Sequence, residues 1–203
     1  MAIGKLVRKP AADSLTWYNE PTLIHVLSRE TGQLVRTYEA EPFGFFHTIN
    51  QFEENGQVII DVCAYKDLAD LNRLTEQRIE KCQESMTFDE GIGRPLRYVC
   101  PIDPPQKDGN LVDLKGSTAK AVWCRGKIQV TAEILLQKNV DMPRIHYEKH
   151  NGKNYRYFYC FSSSCNSTML IEKVDTETKT SKSWSEENAI PSEPVFVPNP
   201  RAE

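Results

Sequence analysis

Residues 41–67, EPFGFFHTINQFEENGQVIIDVCAYKD, decide how this chain is read. Three aromatics, Phe43, Phe45 and Phe46, run directly into His47. An acidic turn follows at Glu53-Glu54-Asn55-Gly56, and then a β-branched apolar run from Val58 to Ala64. Asn-Gly between two apolar runs signals a tight hairpin, because both residues accept a positive φ at little steric cost. The spacing predicts two antiparallel strands, with His47 at the start of the first and the second largely buried. Asp61 is the one charge inside the buried run. A neutral imidazole beside aromatics at a strand end can be a metal ligand, and it suits iron. The residues alone leave a satisfied core histidine open as the alternative.

Outward from that hairpin the chain keeps a β pattern. Thr22 to Leu27 reads as a strand, Ser28 to Gly32 as a polar turn, and Leu34 to Tyr38 as the return. His25 belongs to the first of these strands and is read as structural. Leu68 to Gln83 is the only stretch with helical periodicity, carried by Leu68, Leu71 and Ile79. Short strands recur over 96–100, 119–123 and 127–130, separated by Pro and Gly clusters, and Tyr155 to Phe161 is a β-type aromatic run. Met169 to Val174, a turn over 175–179 and Thr180 to Trp184 echo the first hairpin. Setting Thr31 against Thr178 places Glu193 within one position of His47. Two such hairpins predict an all-β fold of radially repeated antiparallel blades.

Composition narrows the class. The chain has 203 residues, 39% of them hydrophobic, and a net charge of −3, which is a globular balance. No run approaches the roughly 20 apolar residues of a membrane helix, and residues 1–10 lack the apolar core of a signal peptide. Nothing in the sequence concentrates basic charge on one face, so nucleic acid is not expected as a partner. Six cysteines occur without a C-x-x-C pair and read as small core residues of a reducing compartment. His146 and His150 are four apart, but Pro143 and Asn151-Gly152 flank them. The local chain is therefore read as extended or turning, with the two rings diverging and sharing no metal.

Phe46-His47-Thr48-Ile49-Asn50, Phe52-Glu53-Glu54-Asn55-Gly56 and Ile59-Ile60-Asp61-Val62 together resemble the carotenoid cleavage oxygenase family. A second block, Ser192-Glu193-Pro194-Val195-Phe196-Val197, resembles another motif of that family. The resemblance implies a seven-bladed β-propeller with a non-haem Fe(II) on its axis, and His47 as one of four ligating histidines. It implies that Glu193 is an outer carboxylate hydrogen-bonded to a ligand imidazole, with His47 as the expected partner; such a bond fixes the tautomer. It makes residues 1–203 a single partial propeller domain, a fragment of a longer chain, with the other three histidines outside it.

The implied activity is a dioxygenase cleaving a double bond of a carotenoid or apocarotenoid to aldehydes, within carotenoid and retinoid metabolism. Dioxygen is the co-substrate, and Phe43, Phe45, Phe46 and Tyr65 are candidate walls of the substrate tunnel. Peripheral membrane contact would serve substrate uptake without a transmembrane segment. The implied compartment is the cytoplasm, with the mitochondrion as alternative. A retinoid isomerohydrolase on the same scaffold and a truncated, non-catalytic propeller segment are the competing readings. The fragment alone is expected to be inactive. One local departure stands at Tyr159-Cys160-Phe161, where the family pattern places Gly after Tyr and its backbone freedom is lost.

Overall fold

Strand-forming sequence becomes strand almost throughout the computed structural model, which describes residues 16–66, 93–163 and 168–200. β1 (Thr22–Leu27) and β2 (Leu34–Ala40) form the first hairpin, and β3 (Gly44–Glu54) and β4 (Gln57–Tyr65) the second. β5 (Arg94–Pro101) lies beside β4. Next come β6 (Lys120–Cys124), β7 (Lys127–Thr131), the two-residue β8 (Glu133–Ile134) and β9 (Val140–Arg144). One helical turn, α1 (Tyr147–His150), precedes β10 (Tyr157–Ser163), β11 (Met169–Asp175) and β12 (Thr180–Trp184). Asn55 and Gly56 take φ of 52° and 69°, the left-handed pair that the Asn-Gly signal calls for.

These strands make three four-stranded sheets, in the orders β1-β2-β7-β6, β3-β4-β5-β8 and β12-β11-β10-β9. The expected antiparallel blades are found with one exception. β2 and β7 run parallel, with Tyr38 opposite Ile128, so the first sheet is assembled from two hairpins distant in sequence. The helix expected over Leu68–Gln83 lies outside the described residues. α1 corrects the expectation for His146 and His150: the chain there makes a helical turn, and the two rings stand edge to face at 6.1 Å instead of diverging.

The middle sheet is covered on both faces. Tyr38, Ile128 and Val130 of the first sheet meet Val62, Tyr98 and Cys100 in one core. Ile49, Ile59 and Val99 meet Leu135, Val140, Phe158 and Val174 in the other. This explains why Val58 to Ala64 is apolar without alternation apart from Asp61, since a strand buried on both sides needs no polar face. Cys63, Cys100 and Cys160 are buried and free, and burial pushes the Cys100 thiol up to about 12. Asp61 sits in the centre of β4 opposite Arg97. The guanidinium contacts both its oxygens at 2.8 Å, and the Tyr155 hydroxyl donates to Oδ2 at 2.6 Å.

Two further carboxylates are buried with partners. Lys138 reaches Glu172 at 2.9 Å, while Lys179 pairs with Glu133. Burial alone would raise the Glu172 carboxyl, but Lys138 and the hydroxyls of Ser181 and Ser183 outweigh it and hold the group below its ordinary value. Burial is likewise outweighed at Glu133 by Lys179, the Thr118 N–H and Ser117. A depressed folded-state value means the stability is complete above the unfolded-state value, about 4.3 for Glu. It is lost as pH falls through the lower folded-state value. The urea midpoint is therefore expected to hold between pH ~7 and ~5 and to fall below ~4.3. Glu172→Gln should start lower at neutral pH and decline less steeply in acid. An unchanged acid slope in that variant would show that Glu172 plays no part.

Candidate functional site

His47 owes its position to a break in the β3–β4 ladder. Phe45 pairs with Ala64 and Thr48 with Val62, so Phe46 and His47 together oppose the single residue Cys63. A second irregularity follows, because Thr48 and Asn50 are two apart while their partners Val62 and Asp61 are adjacent. Bulges of this kind bend a strand and re-aim a side chain out of the regular alternation. The His47 side chain ends 44% exposed, and its sequence neighbours Phe45 and Phe46 are exposed as well.

A second bulge faces the first. On β9, Asp141 pairs with Phe161 and Arg144 with Tyr159, so Met142 and Pro143 oppose Cys160 alone. Met142 adopts φ +52°, a left-handed conformation that a non-glycine residue enters only where its surroundings demand it. The turn directs the Asp141 side chain at β3 and β4. Its Oδ1 accepts from His47 Nδ1 at 2.8 Å and from the Met142 N–H at 2.8 Å. Its Oδ2 accepts from the Tyr65 hydroxyl. Burial, followed by the Asp141 carboxylate itself, raises the Tyr65 phenol well above its usual value, so it stays a donor. The same two influences push up the neighbouring Cys63 thiol, which is buried and therefore inert.

Asn50, three residues beyond His47, holds the two elements together. Its Nδ2 donates to the carbonyls of His150 and Lys153 at 3.0 and 2.9 Å, and its Oδ1 accepts from the Gly152 N–H. The turn after α1 is thereby clamped to β3, which keeps β9 beside it. Asn50 is 4% exposed.

The sequence-derived candidates separate on this frame. The hydrogen bond expected between His47 and Glu193 is not the one the fold makes. The carboxylate on His47 is Asp141, and Glu193 instead accepts from Arg144 at 3.0 Å. Phe43 stacks on Tyr98 at 4.8 Å and joins the core between the first two sheets. Phe45 and Phe46 are 49% and 57% exposed, beside His47. Tyr65 is 3% exposed, with its edge against Phe46 at 5.6 Å. His25 bonds Thr37 at 2.9 Å on the surface of the first sheet. Asp141 escaped the sequence reading because a lone acid two residues before Pro looks like a loop residue. Its only signal was the flanking pair Val140 and Met142, which makes it an acid inside an apolar segment.

Among the described residues no group of three His, Cys, Asp or Glu side chains comes together in a way that could hold a metal. His47 by itself has the chemistry of a ligand. Its Nδ1 is committed to a carboxylate, which leaves Nε2 as the nitrogen available for a metal.

Comparison with known proteins places these observations. Residues 2–203 match the family described as retinal pigment epithelial membrane protein. The chain is 37% identical to a carotenoid isomerooxygenase of Galleria mellonella over 198 residues, covering 96% of this chain and 35% of the relative. It is 34% identical to the mitochondrial carotenoid-cleaving dioxygenase of Homo sapiens, covering 98% and 37% respectively. The chain thus spans little more than a third of these curated relatives. Among solved structures, the cobalt-substituted Synechocystis ACO superposes with a TM-score of 0.64 at 23% identity, over 91% of this chain and 33% of that one. That likeness establishes the fold, part of a β-propeller.

Asp141→Ala is expected to leave the buried Tyr65 hydroxyl without an acceptor and to cost about 1–3 kcal/mol. Chemical denaturation followed by tryptophan fluorescence measures this, and an unchanged midpoint would remove Asp141 from the scaffold.

Proposed function

This chain belongs to the retinal pigment epithelial membrane protein family, the carotenoid cleavage oxygenases, and on that premise we propose that it supplies one ligand of an Fe(II)-dependent carotenoid dioxygenase. The observation that carries the reading is the His47–Asp141 bond. It fixes the imidazole with Nδ1 as donor and leaves Nε2 as a neutral nitrogen donor for the metal. Ferrous iron, when bound, supplies the activation of dioxygen.

The chain's own residues bind, orient and exclude water. Asp141 holds the ring and stabilises the proton on Nδ1. Phe45 and Phe46 offer apolar surface beside His47 on which a polyene can lie, and Tyr65 backs Phe46. Glu193 has a half-exposed carboxylate anchored by Arg144. In this reading it is an outer partner for a ligand histidine contributed from outside these residues. The substrate is a carotenoid or apocarotenoid, a class supported by the names of the relatives. The isomerooxygenase relatives in two insects favour a second reading, in which cleavage is joined to double-bond isomerisation.

The test uses a longer family protein carrying this chain, loaded with ferrous iron and given β-carotene. Aldehyde products are expected, with loss of both cleavage and bound iron in His47→Ala. Asp141→Asn should weaken iron binding by roughly 10–100-fold. The 203-residue chain alone should not retain stoichiometric iron, because one imidazole cannot meet the ligand count. Full cleavage by His47→Ala, or stoichiometric iron in the isolated chain, would overturn the assignment.

A further inference from the structure

We propose that Tyr65 is a positioning residue for His47, acting through Asp141; this rests on the ligand reading of His47 given above. The phenol and the imidazole occupy different oxygens of the same carboxylate, Oδ2 and Oδ1. A carboxylate held through one oxygen can turn about its terminal torsion, which is broad and roughly two-fold. Donors on both oxygens remove that freedom. The Met142 N–H shares Oδ1 with His47, so the plane of the Asp141 carboxylate is set by three donors from β3, β4 and β9.

The direction of the Tyr65 hydroxyl is itself determined. A carboxylate only accepts, so the Tyr65 hydroxyl proton lies on its bond to Asp141 Oδ2. Gly93 accepts at its carbonyl from the Val140 N–H at 2.6 Å, one residue before Asp141. Only glycine permits this approach, because a Cβ there would stand 2.9 Å from the Cys63 backbone carbon and oxygen. Gly93 thus ties the residue before Asp141 to the β4 backbone just ahead of Tyr65.

The readout is the tautomer of His47, measured by nitrogen-15 NMR on the whole chain without metal at pH ~8, above the ordinary imidazole range. In the wild type one tautomer is expected, with Nδ1 protonated and Nε2 bare. Tyr65→Phe keeps the ring and its contact with Phe46 while removing the hydroxyl. It should give a native amide spectrum in which His47 populates both tautomers. A His47 signal identical to the wild type in a folded Tyr65→Phe chain would overturn the proposal.

Should that variant fail to fold, the wild type still decides. A slowly exchanging Tyr65 hydroxyl proton is expected, shifted in Asp141→Asn, and its absence would overturn the proposal equally. Since no metal enters either measurement, a wrong metal assignment for His47 leaves both outcomes intact and shows itself only in iron binding.

Discussion

A charge buried at the centre of a covered strand constrains everything around it. Asp61 has a fully buried side chain, and a carboxylate there is tolerable only with its partners in place. Arg97 meets it from the next strand in fork geometry, and Tyr155 from the segment before β10. The first contact fixes the register of β4 against β5, because a slip of one residue would carry Asp61 to the other face. The second fixes the third sheet against the middle one. Arg97 also lies over the Phe52 ring, 5.8 Å from its centroid, and Phe52 meets Tyr155 edge to face at 6.2 Å. One ion pair therefore sets both the strand alignment and the docking of the neighbouring sheet.

That docking is what the functional geometry requires. With the second and third sheets held by Asp61, Tyr155 and the Asn50 clamp, the edge strands β3 and β9 lie side by side. Regular strands in that arrangement would present alternating side chains and leave the pairing of His47 with Asp141 to chance. A two-against-one bulge on each edge turns one side chain from each towards the other. The bulges are thus the local departures from regular structure that make the site, and the buried network between the sheets is what supports them.

Much of this was legible in the residues because it rests on local chemistry. Asn55-Gly56 announces the central hairpin, and the apolar run from Val58 to Ala64, broken only by Asp61, announces a strand with no solvent face. Asp61 stood out as a charge that would need a partner. What was not legible depends on contacts distant in sequence. The parallel pairing of β2 with β7 carries no local signal. Neither does the carboxylate of His47, since Asp141 lies 94 residues away and owes its aim to the left-handed backbone of Met142. The hairpin echo and the Ser192 to Val197 motif drew attention to Glu193 instead. The echo is real as strand order, but equivalent positions in two hairpins need not meet, and here Arg144 takes Glu193. The single turn α1 carries little signal in the sequence, because Pro143 and Asn151-Gly152 read as helix breakers. They stop a long helix without forbidding one turn, which Asn50 then secures from outside.

The sheet orders place His47 and Asp141 on neighbouring edges. In the third sheet the β11–β12 hairpin has β10 and then β9 beyond it, and Asp141 sits on that last edge. In the second sheet His47 sits on the β3 edge, next to it. The β1–β2 hairpin of the first sheet is, like β11–β12, two short antiparallel strands joined by a polar turn. Among the described residues, however, β1 has no strand on its second side, and the sheet grows the other way through β7 and β6. Counting from the third sheet, the edge equivalent to β9 would lie two strands beyond β1. If each sheet lends one edge to a common axis, each can lend about one side chain to whatever lies there. The described residues of this chain bring two such edges together. One carries His47 and the other carries Asp141, the acid that orients its ring.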